Sequence, residues 1–244
     1  MINNTAYDAT KFSQGYPQNM QKYWWNLARN KIIAESLKRY LSKNDPILEV
    51  GCGKGIVTNY LKSLGWNITG IDPGIPSNVK VEERHIMYGK NTSDLSLKNR
   101  QNIKVLALFD VIEHVKNPAT FLVEHLKALP CVNRIILTVP ARQELWGNFD
   151  DYYGHFRRYS VEQLDNEMLS IGMKPIMKDY FFRLVYLGLY FTKSIKRSRA
   201  VVFKAPQARG SEWIHRLFAE VLFWENIVVP NKLPGSSIIG IYSA

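Results

Sequence analysis

Closely spaced glycines follow an apolar stretch near residue 50 and could bind a ligand through bare main chain. The segment Ile47–Val50 is apolar apart from Glu49, and Gly51, Gly53 and Gly55 come directly after it. Because glycine has no Cβ, such a loop accepts positive φ angles and lets a ligand approach the backbone. Its GxGxG spacing differs from the GxGxxG of dinucleotide-binding loops and from a Walker phosphate loop. We interpret the segment as a strand–turn–helix that holds a small cofactor.

An acidic residue stands at the end of the next apolar stretch, about twenty residues after the loop. There, Asp72 closes the run 67–71 and is followed by Pro73 and Gly74. A carboxylate in this place can accept hydrogen bonds from both hydroxyl groups of a ribose. The glycine loop and Asp72 together predict a nucleoside-containing ligand at the carboxyl edge of a sheet. The alternative is a tight strand–helix turn that binds nothing.

Two histidines further along the chain could act as the general base that removes a proton from a hydroxyl group. His114 comes soon after the apolar run 104–109, and His155 lies beyond the apolar run 134–139. If both runs are parallel strands, both histidines lie at the same sheet edge as the glycine loop. We therefore predict His155 and His114 as catalytic residues. The alternative for each is a loop histidine that bonds only to the backbone.

Two arginines next to His155 could hold an anionic substrate, because the guanidinium fork matches carboxylate and phosphate groups. They are Arg157 and Arg158. The alternative is a surface ion pair with one of the nearby acids, which are Asp150, Asp151 and Glu162. Both interpretations stay open at this point.

Asp110, Glu113 and His114 have the spacing DxxEH and could coordinate a hard cation such as Mg²⁺. The alternative is that Glu113 anchors the turn that follows it. We expect no metal here and keep these three residues as the candidates for one. The two cysteines, Cys52 and Cys131, form neither a zinc pattern nor a disulfide framework.

These residues are set among alternating strand and helix patterns. Apolar runs predict strands at 47–50, 67–71, 80–87, 104–109, 134–139 and 236–242. Amphipathic patterns predict helices at 21–42, 57–64, 119–129 and 161–170, the last with Ser160 as N-cap and Gln163 three residues on. Such alternation is typical of an α/β fold whose mostly parallel, Rossmann-like sheet carries helices on both faces.

The bulk composition fits one domain and an anionic partner. With 244 residues, 46% of them hydrophobic, the chain can bury one sizeable core. We expect residues 1–20 to form an N-terminal arm and residues 21–244 a single domain, in which 141–235 carry substrate-side and C-terminal additions. The formal charge of +11 favours nucleic acid, lipid headgroups or phosphorylated small molecules as partners.

Several motifs resemble those of a known enzyme class. LEVGCGKG at 48–55 and ITGIDP at 68–73 are similar to the first two motifs of class I S-adenosylmethionine-dependent methyltransferases. DVIEH at 110–114 resembles the signature of the group that includes ubiquinone O-methyltransferases, and segments 23–29, 145–160 and 234–239 resemble a bacterial subgroup. The resemblance implies the class I methyltransferase fold, with an antiparallel last strand, and S-adenosylmethionine as the cofactor.

The resemblance also implies roles for the matching residues. The implied cofactor-binding set is Arg29, Glu49, Gly51, Cys52, Gly53, Gly55, Asp72, Pro73, Asp110 and Val111. Within it, Asp72 would bind the ribose, and Asp110 with Val111 would form the floor beside the methyl group. Arg29 would pair with the cofactor's carboxylate or with an anionic substrate. The substrate-binding set is Trp146, Arg157, Arg158 and Tyr159. The adenine contact stays open.

The leading hypothesis is an enzyme that O-methylates a small-molecule, sugar or lipid-linked acceptor by in-line transfer. Two alternatives stay open. One is an RNA methyltransferase, which the net charge and the DxxEH group suggest, and the other is a catalytically silent cofactor-binding protein. The sequence contains no recognisable RNA-binding module, so nucleic acid is not the expected partner. It does not predict the oligomeric state.

An apolar stretch followed by basic residues, 181–199, suggests peripheral contact with an anionic membrane. The alternative is a core helix with a solvated basic end. The stretch is too short to span a bilayer, and the N-terminal residues lack the apolar centre of a secretory signal. We expect a cytoplasmic protein that can contact the inner face of the membrane. Aromatic residues near the N-terminus predict either a lid or a helix stripe packed on the sheet.

Overall fold

The computed structural model describes residues 19–75, 85–195, 206, 209–230 and 233–244. The expected N-terminal arm lies outside these ranges except for Asn19 and Met20. Residues 80–84 of the expected third strand and the basic positions 196–199 lie outside them as well.

One seven-stranded sheet organises the described residues. Its strands are β1 (Ile47–Val50), β2 (Ile68–Asp72), β3 (Ile86–Tyr88), β4 (Val105–Phe109), β5 (Arg134–Pro140), β6 (Lys174–Phe181) and β7 (Ser237–Ser243). The order is β3-β2-β1-β4-β5-β7-β6, in which β1 to β5 are parallel and β7 runs antiparallel to both of its neighbours. The predicted α/β class and the antiparallel last strand are therefore confirmed.

Helices connect the strands and cover the sheet. They are α1 (Trp24–Tyr40), α2 (Ile56–Ser63), α3 (Leu97–Asn102), α4 (Pro118–Ala128), α5 (Asn148–Tyr153), α6 (Val161–Ser170), α7 (Arg183–Ile195) and α8 (Arg209–Val228). The predicted cap of α6 is present, because Gln163 N–H donates to Ser160 Oγ at 3.1 Å and Ser160 N–H donates to Gln163 Oε1 at 2.9 Å. This capping box fixes where α6 begins.

The core is divided by the sheet into two clusters, because side chains alternate between the two faces of a strand. On one face, Ile47 and Ala107 pack with Ile33 of α1 and Leu222 of α8. On the other face, neighbouring strand residues pack with Leu122 of α4 and Leu164 of α6. Every residue of β1 and β4 is buried, as expected for strands covered by helices on both sides.

The strand order reverses between β1 and β4, since β2 and β3 extend the sheet one way and β4 and β5 the other. Loops at the carboxyl ends of these two strands diverge and leave a crevice between them. Ligands of open α/β sheets bind in such a crevice. The glycine loop after β1 and Asp110 after β4 lie there.

Candidate active site

The glycine loop after β1 has the backbone shape that its composition predicts. Gly51, Gly53 and Gly55 have φ angles of 74°, 56° and 69°, which lie in the left-handed region. Gly55 is the N-cap of α2, and a Cβ there would collide with the side chain of Ile86. Glycine is therefore favoured chiefly by its conformation, and the loop presents bare main chain to the crevice.

Asp72 at the end of β2 is tied to this loop. Its Oδ2 accepts a hydrogen bond from Gly53 N–H at 2.8 Å, and its Oδ1 accepts one from Gly74 N–H at 2.7 Å. Burial raises the pKa of Asp72, and the two N–H donors offset part of that rise. Pro73 follows on the exposed side of the turn. The acid and the glycines thus form one unit, in which the carboxylate is an acceptor suited to the hydroxyl groups of a nucleoside sugar.

Glu49 brings a second buried carboxyl group to the same loop. It is 2% exposed, and it accepts a hydrogen bond from Thr58 Oγ1 of α2. Burial raises the pKa of Glu49 to about 7, although the Thr58 hydrogen bond and the charge of Arg29 lower it. A cation bound nearby would favour the ionised carboxylate.

Arg29 reaches the crevice from α1 and forms an ion pair with Asp110. Its guanidinium carbon also lies 4.3 Å from the ring centroid of Trp25, so the aromatic residue holds the fork in place. Asp110 has a φ angle of 58°, which is uncommon for a residue with a side chain. The neighbouring Val111 packs against Gly51, where a Cβ would lie 2.9 Å from Val111 Cγ2.

A cavity of about 330 Å³ opens beside the loop and is lined by some residues of both predicted groups. Its lining does not include Gly53, Gly55, Asp72, Pro73 and Val111 of the predicted cofactor set. From the predicted cofactor side it is lined by Arg29, Glu49, Gly51, Cys52 and Asp110. From the other side it is lined by His114, His155 and Arg158. Trp24 and Trp25 of α1 and Val185 and Leu189 of α7 add apolar walls. Such a mixture of apolar walls and converging polar groups is typical of a small-molecule site.

Asp150 lies behind the cavity wall and forms hydrogen bonds with two residues that line it. His155 Nδ1 lies 2.8 Å from Asp150 Oδ1, and Arg158 Nε donates to the same oxygen at 2.8 Å. Asp150 is 0% exposed. Burial alone would raise its pKa, but His155 and Arg158 outweigh that effect and lower the pKa. The Arg158 ion pair is therefore a buried contact, not one at the surface.

His114 lies against His155, with ring centroids 4.7 Å apart and the rings nearly perpendicular. Burial, together with the neighbouring His155, lowers the pKa of His114 to about 3. The ring is therefore neutral at physiological pH. The two predicted histidines, which are far apart in the sequence, are brought together by the structure.

Glu113 completes a cluster that differs from the predicted metal candidates. One ligand atom from each of Glu113, His114 and His155 lies within 4.8 Å of the others. Asp110 does not belong to this cluster, because it faces Arg29 instead. Glu113 is 1% exposed, its Oε2 has no hydrogen-bond partner among the described residues, and burial raises its pKa.

Three residues of the predicted substrate-binding set lie outside the cavity lining. Trp146 Nε1 donates to Asp151 Oδ1 at 3.0 Å, and Arg157 Nη2 donates to the backbone oxygen of Lys116 at 2.6 Å. Tyr159 is 1% exposed and belongs to the hydrophobic core. Of that set, only Arg158 lines the cavity.

Two features of the cavity were not predicted from the sequence: Asp150, which lies behind the wall, and the apolar residues that α7 adds to it. For Asp150 the sequence suggests only a surface ion pair, although its position five residues before His155 is compatible with a contact between the two side chains. The apolar residues Val185 and Leu189 come from α7, whose position depends on packing against α8. In the described part of the chain, no helix has the length and hydrophobicity needed to cross a membrane.

Comparison with known proteins identifies the domain. Residues 24–176, well over half of the chain, match a family described as a methyltransferase domain. The chain belongs to this family. The family assignment confirms the predicted class I methyltransferase with S-adenosylmethionine as its cofactor.

The curated relatives of this methyltransferase match only part of it. It is 33% identical over 130 residues to the ubiquinone biosynthesis O-methyltransferase of Rickettsia typhi, which covers 43% of this chain and 51% of the relative. It is 32% identical over 135 residues to the mitochondrial enzyme of that name from Arabidopsis thaliana, covering 47% and 38%. The chain thus spans about half or less of the length of these relatives.

Solved structures support the fold along nearly the whole chain. The plantazolicin methyltransferase BpumL in complex with SAH superposes with a TM-score of 0.53 at 14% identity, over 96% of this chain and 89% of that one. A cyclopropane-fatty-acyl-phospholipid synthase-like protein from Lactobacillus casei superposes with a TM-score of 0.51 at 12% identity, over 95% and 96%. At such identities the likeness concerns the fold alone.

Proposed function

We propose that this methyltransferase transfers a methyl group from S-adenosylmethionine to an oxygen atom of a small-molecule, sugar or lipid-linked acceptor. The observation that carries the proposal is the shared cavity, which has the cofactor loop on one wall and His155 with its buried Asp150 on the other. The O-methyltransferase names of the curated relatives support the choice of oxygen.

The residues present fit the cofactor, which when bound supplies an electrophilic methyl group on a sulfonium. Asp72, held beside the glycine loop, would accept the ribose hydroxyl groups. Glu49 and the main chain at Gly51 would face the methionine end, where the α-ammonium group favours a carboxylate. Arg29 would bind the cofactor's carboxylate, or the acceptor's if the acceptor is anionic. Asp110 would border the methyl group.

On the acceptor side, His155 would remove the hydroxyl proton as the methyl group is transferred. Asp150 accepts the hydrogen bond of Nδ1, so that Nε2 is the nitrogen left to take the proton. The Asp150 carboxylate then stabilises the imidazolium that forms, as in other histidine–carboxylate pairs. His114, kept neutral, packs beside it, and Arg158 holds Asp150 from the other side.

The test is a labelled-methyl screen of extracted lipids and glycans, followed by kinetics on the acceptor that it finds. We expect His155→Gln to lower kcat by about a hundredfold or more, with cofactor affinity unchanged. Asp150→Asn should lower kcat because His155 loses the carboxylate that orients it, whereas Asp151→Asn, which alters a neighbouring acid outside the cavity, should leave kcat unchanged.

Three results would redirect the proposal. Full activity in His155→Gln would remove the histidine base. Activity that is lost on chelation and restored by Mg²⁺ or Mn²⁺ would assign Glu113, His114 and His155 to a metal ion instead. Bound cofactor without turnover on any acceptor would favour the silent cofactor-binding protein.

We propose further that the protein acts in the cytoplasm, with peripheral contact at the inner face of the membrane through residues 181–199. Support comes from α7, which exposes apolar side chains at Leu184, Leu187, Tyr190 and Phe191.

A further inference from the structure

Helix α8 exposes a continuous apolar stripe. Its members are 41% to 76% exposed and are Trp213, Ile214, Leu217, Phe218, Val221, Trp224, Ile227 and Val228. Their spacing of three and four residues places them along one side of the helix. Single exposed apolar residues are ordinary, but a contiguous patch of this kind on a folded domain indicates an interaction surface.

Helix α7 lies next to α8 and adds to this exposed surface. Arg183 N–H at the start of α7 donates to Glu225 Oε1 of α8 at 2.7 Å. Val185 and Leu189 face the cavity, whereas Leu184, Leu187 and Phe191 are exposed. One side of helix α7 thus lines the cavity, and other residues of the helix are exposed to solvent. We call its exposed residues, together with the α8 stripe, the α7–α8 apolar surface.

Acidic and basic residues are unevenly distributed between α8 and the sequence that precedes it. Two acidic residues of α8 form ion pairs near α1. Glu212 pairs with Lys22, which lies just before α1, and Glu220 pairs with Lys31 within α1. They therefore lie toward α1, and the stripe itself contains no acidic residue. The sequence from 193 to 209, which joins the two helices, also lacks acidic residues and contains Lys193, Lys196, Arg197, Arg199, Lys204 and Arg209.

We propose that the α7–α8 apolar surface docks on an anionic phospholipid bilayer, so that a lipid-linked acceptor enters the cavity past α7. Docking extends to α8 the membrane contact proposed above for residues 181–199, and the route of entry rests on the proposed methyl transfer. Tryptophan and leucine side chains on one helix face, with basic residues close by in the sequence, suit the boundary between headgroups and acyl chains. A second copy of the chain is a poorer occupant, because each copy carries a formal charge of +11.

Sedimentation of the full chain with vesicles tests the proposal. We expect binding to vesicles of phosphatidylcholine mixed with phosphatidylglycerol, no binding to phosphatidylcholine alone, and weaker binding as salt increases. Leu217→Glu and Trp224→Glu should each weaken binding by about tenfold or more. The matched control is Leu169→Glu on α6, where the leucine is 51% exposed compared with 58% for Leu217; it should bind like the wild type.

Absence of binding to the anionic vesicles at low salt would overturn the proposal, as would Leu217→Glu and Trp224→Glu variants that are folded by circular dichroism and bind normally. A dimer in analytical ultracentrifugation that Leu217→Glu dissociates would assign the surface to a second copy instead. Calorimetry of S-adenosylmethionine binding on the same samples separates the two proposals. Vesicle binding without cofactor binding would leave docking standing and remove the proposed methyl transfer.

Discussion

At the scale of single residues, the crevice is notable for carboxyl groups whose pKa values are raised by burial. Glu49, Asp72 and Glu113 share this property. A carboxyl group buried without a full countercharge stabilises a cation that binds beside it. The ammonium group of S-adenosylmethionine is such a cation, so Glu49 complements the charge of the methionine end that we propose it faces.

Cofactor affinity should therefore depend on pH through Glu49. With a pKa of about 7 in the free protein, Glu49 is mostly protonated at pH 6 and mostly ionised at pH 8. Because the cationic cofactor favours the ionised form, binding releases a proton and tightens as pH rises. We expect about a tenfold decrease in Kd from pH 6 to pH 8, measured by calorimetry.

The variant Glu49→Gln is the control for this prediction. It removes the titrating group while keeping the size of the side chain. Its Kd should therefore be higher than that of the wild type at pH 8 and nearly constant from pH 6 to pH 8. A wild-type Kd that does not change with pH, or a Glu49→Gln variant that retains the full dependence, would contradict the role of Glu49.

Residues whose position depends on local spacing could be predicted from the sequence, whereas the contacts of Asp150, which depend on the tertiary fold, could not. Asp72 could be found because the loop, the connecting helix and the strand fix its distance from Gly53. His114 and His155 could be placed at one edge because both follow parallel strands. The part played by Asp150 could not be predicted, because its buried contact with Arg158 forms only when the loops after β5 fold back on themselves.

At the scale of elements, the central strands were predictable and the C-terminal edge was not. β1 and β4 are continuous apolar runs because helices cover both of their faces. β6 lies at the edge of the sheet and is largely exposed, so its sequence carries little of the apolar signal of a buried strand. It is held by pairing with β7, more than fifty residues later in the chain. Helix α8 was missed as well.

The junction of β6 with β7 can be tested at Gly235. A Cβ there would collide with the backbone of Phe181, the last residue of β6. Since backbone atoms cannot move aside as a side chain can, we expect Gly235→Ala to lower the free energy of unfolding by about 2 kcal/mol or more, measured by urea denaturation.

The matched control is Gly188→Ala in α7. No atom lies within 4 Å of a Cβ at Gly188, and the residue is exposed within a helix. Alanine should therefore raise the free energy of unfolding by about 0.5 to 1 kcal/mol. Equal effects of the two substitutions would show that the close approach at Gly235 does not contribute to stability.

At the scale of the whole molecule, the fold gathers residues from distant parts of the chain at one sheet edge. Arg29 comes from the first long helix, Asp72 from the second strand and His155 from the loops after the fifth strand. The reversal of strand order between β1 and β4 is what leaves room for a ligand among them. The class of fold could be predicted from the alternation of strands and helices in the sequence. That one cavity is lined by both the glycine loop and the histidines could be seen only in the three-dimensional structure.

The most direct test of this account is calorimetric titration of S-adenosylmethionine into the wild type and into Asp72→Ala. We predict one binding site per chain in the wild type and at least about a tenfold weaker Kd in Asp72→Ala, because the ribose hydroxyl groups lose their acceptor. Glu124→Ala, which removes an exposed acid from α4 outside the cavity lining, should leave the Kd unchanged. A wild type that does not bind the cofactor, or an Asp72→Ala variant that binds it equally well, would contradict the central claim.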